Sequence, residues 1–202
     1  QVALADGAAI TIKGNGADVA VNGKELHLGK DAKIDLGNSA AGNFALQADK
    51  VTAAEDNTTN ITGKGKLGLR PLTAGYALTL NNDKANGEGL HITSDQLNGD
   101  LFDSGFTSLT LGDAKTGEVR IDGVTSDNSI TVQNASDKTL TIGAGGLNVG
   151  ANRKVTLQTG AIANVGKMTV GAGSTLNIYT NNMDNLQAVD EAAAITGTGT
   201  LG

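Results

Sequence analysis

Apolar and polar residues alternate in short triplets along this chain, and most triplets return every seven to eleven residues. Early ones are Val19-Ala20-Val21, Leu26-His27-Leu28 and Ile34-Asp35-Leu36. The series resumes with Leu78-Thr79-Leu80, Leu109-Thr110-Leu111, Val119-Arg120-Ile121 and Ile130-Thr131-Val132. It ends with Leu140-Thr141-Ile142, Leu147-Asn148-Val149, Val155-Thr156-Leu157, Met168-Thr169-Val170 and Leu176-Asn177-Ile178. A period of two describes a β-strand with one dry face and one wet face. Gly, Asn, Asp, Ala and Lys between the triplets supply turns. No segment sustains a helical period. The best helical candidate is Asp184 to Ala194, where Leu186, Val189 and Ala193 fall at helix-like spacing and predict a short helical turn or an irregular loop.

Internal repeats decide the architecture. The stretch Gly146 to Leu157 aligns without a gap on Lys167 to Ile178, at an offset of 21 residues. Leu26-His27-Leu28-Gly29 followed by Ile34-Asp35-Leu36 reads as an earlier copy, and in all three the second strand begins eight residues after the first. Such a period holds one coil of a parallel β-helix, whose aliphatic ladder is buried only when coils stack. The expected fold is all-β: a single elongated β-solenoid over 1–202. About 21 residues per coil give nine or ten coils, a rod of roughly 45 Å at about 4.8 Å per coil. Val119, Ile121, Leu140, Ile142, Leu147, Val149, Val155, Leu157, Met168, Val170, Leu176 and Ile178 should point inward. Loop excursions are expected at 53–60, 81–88 and 179–193.

A longer repeat pairs Ile61-Thr62-Gly63-Lys64-Gly65-Lys66-Leu67-Gly68 with Ile195-Thr196-Gly197-Thr198-Gly199-Thr200-Leu201-Gly202. Upstream lie the related pieces Phe44 to Asp49 and Asn185 to Asp190. The chain therefore reads as a piece of a longer tandem array, with Gln1 as an interior position rather than a natural start.

Composition sharpens this picture. The 202 residues include 29 Gly, one Pro, three Phe, two Tyr and no Trp, so the core must be built mainly from Val, Ile, Leu and Ala. Net charge is −6, which argues against a nucleic-acid partner. No apolar run approaches the length of a membrane helix, so no membrane insertion is expected. Cysteine is absent, which excludes disulfides and thiolate metal sites.

The run Ile61-Thr62-Gly63-Lys64-Gly65-Lys66-Leu67-Gly68-Leu69-Arg70-Pro71-Leu72 resembles a segment of giant filamentous-haemagglutinin-like bacterial surface proteins. In those proteins a second segment tends to follow, matched here by Asp103-Ser104-Gly105-Phe106-Thr107-Ser108-Leu109-Thr110-Leu111-Gly112 and then Gly117-Glu118-Val119-Arg120-Ile121. Asp103-Ser104-Gly105 carries one residue more than the usual Asp-Gly. The resemblance covers about a third of the chain. It implies a right-handed parallel β-helix, export to the cell surface, adhesion or biofilm roles and no catalytic residues.

Candidate chemistry is sparse. Gly14-Asn15-Gly16-Ala17-Asp18 resembles part of a calcium-binding nonapeptide, but one partial copy cannot supply six oxygen ligands, and a turn is the default. Asp95, Asp100 and Asp103 cluster near His91, as the acids of a polysaccharide lyase or hydrolase would; turns also favour Asp, and Ser94-Asp95 before Leu97 reads as a helix cap. His27, between Leu26 and Leu28, should face solvent. Outward Thr110, Thr131, Thr141, Asn148, Thr156, Thr169 and Asn177 would form polar ladders; a regular Thr ladder binds ice, but Arg120, Asp35 and His27 interrupt it. Asn57, Asn60 and Asn134 head glycosylation sequons, which chance supplies in a chain this rich in Asn and Thr. No catalytic, cofactor or metal residue is assigned. The expected function is a structural, adhesive stalk segment of a secreted or cell-surface protein, meeting carbohydrate or a host or bacterial surface. Alternatives are a filament subunit that associates end to end and a β-helix polysaccharide lyase or hydrolase.

Overall fold

Each apolar triplet is too short to bury itself, so it must gain its neighbours from the next coil, and every strand pairing in the structure is parallel. The computed structural model describes residues 1–12, 16–54, 60–81, 88–103, 105–164, 166–180, 186–188, 195–197 and 200–201, with side chains up to Thr180 apart from Asn164. The chain begins with β1 (Val2–Leu4), β2 (Ala9–Thr11), β3 (Val19–Asn22), β4 (Glu25–Leu28), β5 (Lys33–Asp35), β6 (Phe44–Gln47), β7 (Lys50–Ala53), β8 (Ile61–Thr62) and β9 (Lys66–Arg70). Next come β10 (Ala77–Asn81), β11 (Gly89–Ile92), a helical turn at Gln96–Asp100, β12 (Ser108–Leu111), β13 (Val119–Asp122), β14 (Val124–Ser126) and β15 (Ser129–Gln133). Then follow β16 (Thr139–Ile142), β17 (Leu147–Val149), β18 (Lys154–Thr159), β19 (Ala161–Asn164), β20 (Met168–Val170), β21 (Thr175–Thr180), β22 (Leu186–Ala188), β23 (Ile195–Gly197) and β24 (Thr200–Leu201).

Three faces result. The first holds β1-β4-β7 and then β11-β10-β13-β16-β19-β22, joined where β11 packs on β7. The second holds β2-β5-β8 and then β14-β17-β20-β23, with Phe102 bridging Ile61 between them. The third is one sheet of eight strands, β3-β6-β9-β12-β15-β18-β21-β24. The all-parallel solenoid expected from the sequence is present. The coil count is not nine or ten. The eight-stranded face spans seven steps, or about 34 Å at roughly 4.8 Å each. Many coils are longer than the offset between the two best sequence copies. Val19 pairs with Phe44, Ile130 with Val155 and Leu67 with Leu109, each further along the chain than that offset would place it.

The longest of these steps, from β9 to β12, contains an inversion. From β9 the chain enters β10, which pairs with the later β13, and then drops back to β11, which lies between β10 and β7. Gly89 opens β11 with φ +132°, and a Cβ there would strike the Ala77 backbone. The helical turn follows. Its cap is Thr93, not the expected Ser94-Asp95: the Gln96 N–H donates to Thr93 Oγ1 (3.1 Å), and the Thr93 N–H donates to Gln96 Oε1 (2.9 Å). That is a reciprocal capping box, spelled Thr93-Ser94-Asp95-Gln96. All three Phe gather beside this irregular coil, with Phe44, Phe102 and Phe106 fully buried and the Phe44 and Phe102 rings 6.4 Å apart.

Eleven of the twelve residues expected inside are buried; Ile178 is partly buried and packs against the same core. The Asp184–Ala194 helical candidate gives way to strand β22 at Leu186–Ala188, which continues the first face beside β19. Tyr179 and Thr180 complete β21. Residues 55–59, 82–87, 181–185 and 189–194, most of the three expected excursions, lie outside the described residues.

The repeats resolve in two ways. Asp31 (φ 58°), Asn152 (φ 58°) and Gly173 (φ 71°) occupy the same left-handed position in the three copies of the short module, so the turn chemistry is shared. The corner is not. Leu26 and Ile34 join the first face to the second, whereas Leu147 and Val155, like Met168 and Leu176, join the second to the third. The halves of the longer repeat do occupy matching faces, β8 and β9 against β23 and β24. Their upstream pieces do not: Phe44–Gln47 lies on the third face and Leu186–Ala188 on the first.

Candidate functional site

Most of the residues singled out by sequence are occupied in holding coils together. Asp18 accepts hydrogen bonds from the Asn43 backbone N–H (3.1 Å) and from Asn43 Nδ2 (2.8 Å) one coil on; residues 13–15 of the calcium-like run lie outside the described residues. Asp103 pairs with Lys64 at 3.4 Å, while Asp95 and Asp100 are exposed on either side of the helical turn. His91 meets Asn81 Oδ1 through Nε2 at 2.6 Å. His27 points outward as expected, but only half-exposed, with Nδ1 2.9 Å from Thr52 Oγ1. The longest in-register run of threonines among the described residues is Thr110, Thr131 and Thr156. On the other faces Asn148 separates Thr125 from Thr169, and Arg120 separates Thr79 from Thr141.

Two sequon asparagines point inward. Asn60 is 1% exposed and its Nδ2 donates to the Ala32 carbonyl at 2.6 Å; Asn57 lies outside the described residues. Asn134 is 4% exposed, and neither of its side-chain polar atoms has a hydrogen-bonding partner among the described residues. A buried polar group without a partner costs about 1–3 kcal/mol. Asn134→Leu should therefore raise the urea midpoint by about 1 kcal/mol or more of stability at unchanged slope. A lower midpoint would mean the amide is satisfied in solution.

Sequence reasoning missed two concave places. One, of about 400 Å³, opens where β11 drops beside β7 and is lined by Asp49, Tyr76, Glu88 and His91. The Tyr76 phenol is pushed above its ordinary pKa by the charge of Glu88 and by the hydrogen bond it donates to that carboxylate. Both oxygens of Asp49 are engaged by Thr73, at 2.8 Å from the backbone N–H and 2.7 Å from the hydroxyl. Asp95, Asp100 and Asp103 do not line this cavity. No local spacing announces the group, because the inversion of β10 and β11 assembles it.

The other lies on the third face. Its middle outward column reads Ala20, Ala45, Gly68, Thr110, Thr131, Thr156 and Asn177 from coil to coil. The next outward column is taller: Gln47 is paired with Arg70, and further along Gln133 with Gln158 and Gln158 with Tyr179. A hollow of about 320 Å³ lies in the step between the columns, lined by Ala45, Gly68, Thr110 and Gln133; a second, of about 510 Å³, is lined by Gln133, Gln158 and Tyr179 with Asn134, Thr159 and Thr180, and by none of the middle column. A turn at 113–116 stands between them, closed by the Thr116 N–H on the Asp113 carbonyl (3.0 Å). Arg70 grips this turn through Nη1 on Asp113 Oδ2 (2.9 Å), while Nη2 donates to Gln47 Oε1 (3.1 Å). Burial pushes the Asp113 carboxyl up, but the Lys115 N–H, the Thr116 hydroxyl and Arg70 together hold it below its ordinary value. The tie is thus complete at neutral pH and is lost as falling pH titrates Asp113.

No protein-family model, curated protein or solved structure matches the chain.

Proposed function

We propose that this chain is a rod segment of a secreted or cell-surface bacterial adhesin, a stalk whose work is reach and contact. The observation that carries the reading is the unbroken stacking of coils. The eight-stranded face runs from β3 to β24 over one continuous aliphatic core. In such a solenoid each coil leans only on its neighbours, so length is added without a larger core, and side chains recur along each face at the strand spacing. The filamentous-haemagglutinin-like segments at Ile61–Leu72 and Asp103–Ile121 point the same way. The reading assigns the chain no catalytic step.

Beads coated with the protein are expected to adhere to bacterial exopolysaccharide films or to epithelial monolayers, with free protein competing. Coating with an unfolded variant should not support adhesion. Absence of adhesion to both surfaces would overturn the reading. So would release of reducing ends or unsaturated products from polygalacturonate, which would favour the lyase or hydrolase.

A further inference from the structure

We infer that the hollow of about 320 Å³ on the third face is a socket for one uncharged hexopyranose unit, presented as the end or a branch of a glycan. The inference gives the adhesive reading a contact and rests on that reading for its biological use.

The floor supplies the first observation. Gly68 sits mid-strand in β9, with Ala45 on one side and Thr110 on the other, and all three line the hollow. A mid-strand glycine weakens a sheet and is often placed where a backbone or a ligand comes close. Nothing in the protein requires it: a Cβ built there would meet only Phe44 and Ala45 atoms at 3.9–4.0 Å, in ordinary contact. Gly112, which also lines the hollow, is the contrast: its φ is +77°, and a Cβ would collide with the Gln133 carbonyl. The fold explains Gly112 and leaves Gly68 to the space above it.

The rim supplies the second. Arg70, Asp113, Gln133 and Thr110 stand around this one hollow. Arg70 is fixed in place by Asp113 at 2.9 Å and by Gln47 at 3.1 Å, an arrangement that leaves some of its N–H donors unspent. Thr110 is exposed, and among the described residues neither its hydroxyl nor the Gln133 amide is held by a hydrogen bond. A guanidinium, a hydroxyl and an amide thus converge on a floor of small residues. A pyranose has the matching form: a C–H face that can lie on such a floor, ringed by hydroxyls that both donate and accept.

Size and charge choose the ligand within that class. The turn at 113–116 bounds the hollow through Gly112 and Asp113. The volume lies near the lower end for ligand pockets, which suits a single unit rather than a long track. Among the described residues Arg70 is the one cation lining the hollow, and it is paired with Asp113. The rim is thus neutral within a chain of net charge −6, which disfavours an anionic sugar and suits an uncharged one.

Titration of the protein with the methyl glycosides of glucose, galactose, mannose and N-acetylglucosamine, followed by amide chemical shifts in NMR spectra, tests this, with methyl glucuronide as the charged control. At least one neutral glycoside should give saturable shifts centred on Gly68, Thr110 and Gln133, and the glucuronide none. Gly68→Val should abolish them while leaving the melting temperature unchanged or raised, because a β-branched residue favours a strand. Ala20→Val, in the same column but outside the hollow, should bind as the wild type does. Thr110→Val keeps the shape and loses the hydroxyl, and should weaken binding about threefold or more. Should Gly68→Val fail to fold, Thr110→Val carries the test. No saturable shift with any neutral glycoside, shifts centred elsewhere, tighter binding of the glucuronide, wild-type affinity in Gly68→Val or Thr110→Val, or loss of binding in Ala20→Val would overturn the inference. Bead adhesion that persists in a Gly68→Val protein without glycoside binding would overturn the hollow as the adhesive contact while leaving the stalk reading intact.

Discussion

Val149→Asp abolishes cooperative folding, whereas Thr156→Asp melts within a few degrees of the wild type: that is the expected result of thermal melts followed by circular dichroism. Val149 is 1% exposed and stacks between Ser126 and Val170 on the second face. An aspartate there would sit under the coils on either side with no cation in its column, only the Ser126 hydroxyl on one side and Val170 on the other. An unpaired buried charge costs at least several kcal/mol, against a total stability of about 5–15 kcal/mol for a typical domain. The alternation that buries Val149 points Thr156 outward, between Thr131 and Asn177, where a carboxylate stays hydrated. If the two variants melt alike, the inside and outside columns are misassigned.

Gly65→Ala is expected to cost nearly as much. The Gly65 carbonyl accepts the Thr107 N–H (2.8 Å) and hydroxyl (3.0 Å), and the Lys66 N–H is held by Asn43 Oδ1 at 2.9 Å, so this backbone is tied from two coils. A methyl group on Gly65 would strike the Gly42 carbonyl, and backbone cannot swing aside as a side chain can. Separating the strands by even a fraction of an ångström strains the ladder on both sides. The loss should be about 3 kcal/mol or more, beyond ordinary overpacking, read as a fall in the urea midpoint. A loss below about 1 kcal/mol would place Gly65 among the dispensable glycines and remove the structural reason for glycine at this position of the Ile61–Leu72 run.

These two sites show where the sequence was legible. Period-two alternation fixed the buried partner of each triplet, and Val149, Leu157 and Val170 lie where it put them. The offset between Gly146–Leu157 and Lys167–Ile178 is a true rung-to-rung step. The copy at Leu26–Leu36 misled because a local module, strand then left-handed residue then strand, fits more than one corner of a three-sided coil. Coil length follows the corners, which vary, and so the count of nine or ten was too high. The helical turn was written in Thr93 and Gln96 rather than in Ser94 and Asp95. The inversion of β10 and β11 has no such signature, because strand order depends on pairing partners distant in the chain. Both concave places are hidden for the same reason: Gly68 and Gln133, or Asp49 and Glu88, meet only after the coils are wound.

The absence of cysteine allows a direct test of the winding itself. Spin labels placed in pairs on outward positions of the third face, at Thr131 and Asn177, Thr110 and Asn177, and Ala45 and Asn177, should report separations that grow linearly with the number of intervening steps. Two, three and five steps correspond to about 10, 14 and 24 Å between backbones. Separations that fail to grow in that order would contradict the solenoid and everything drawn from it.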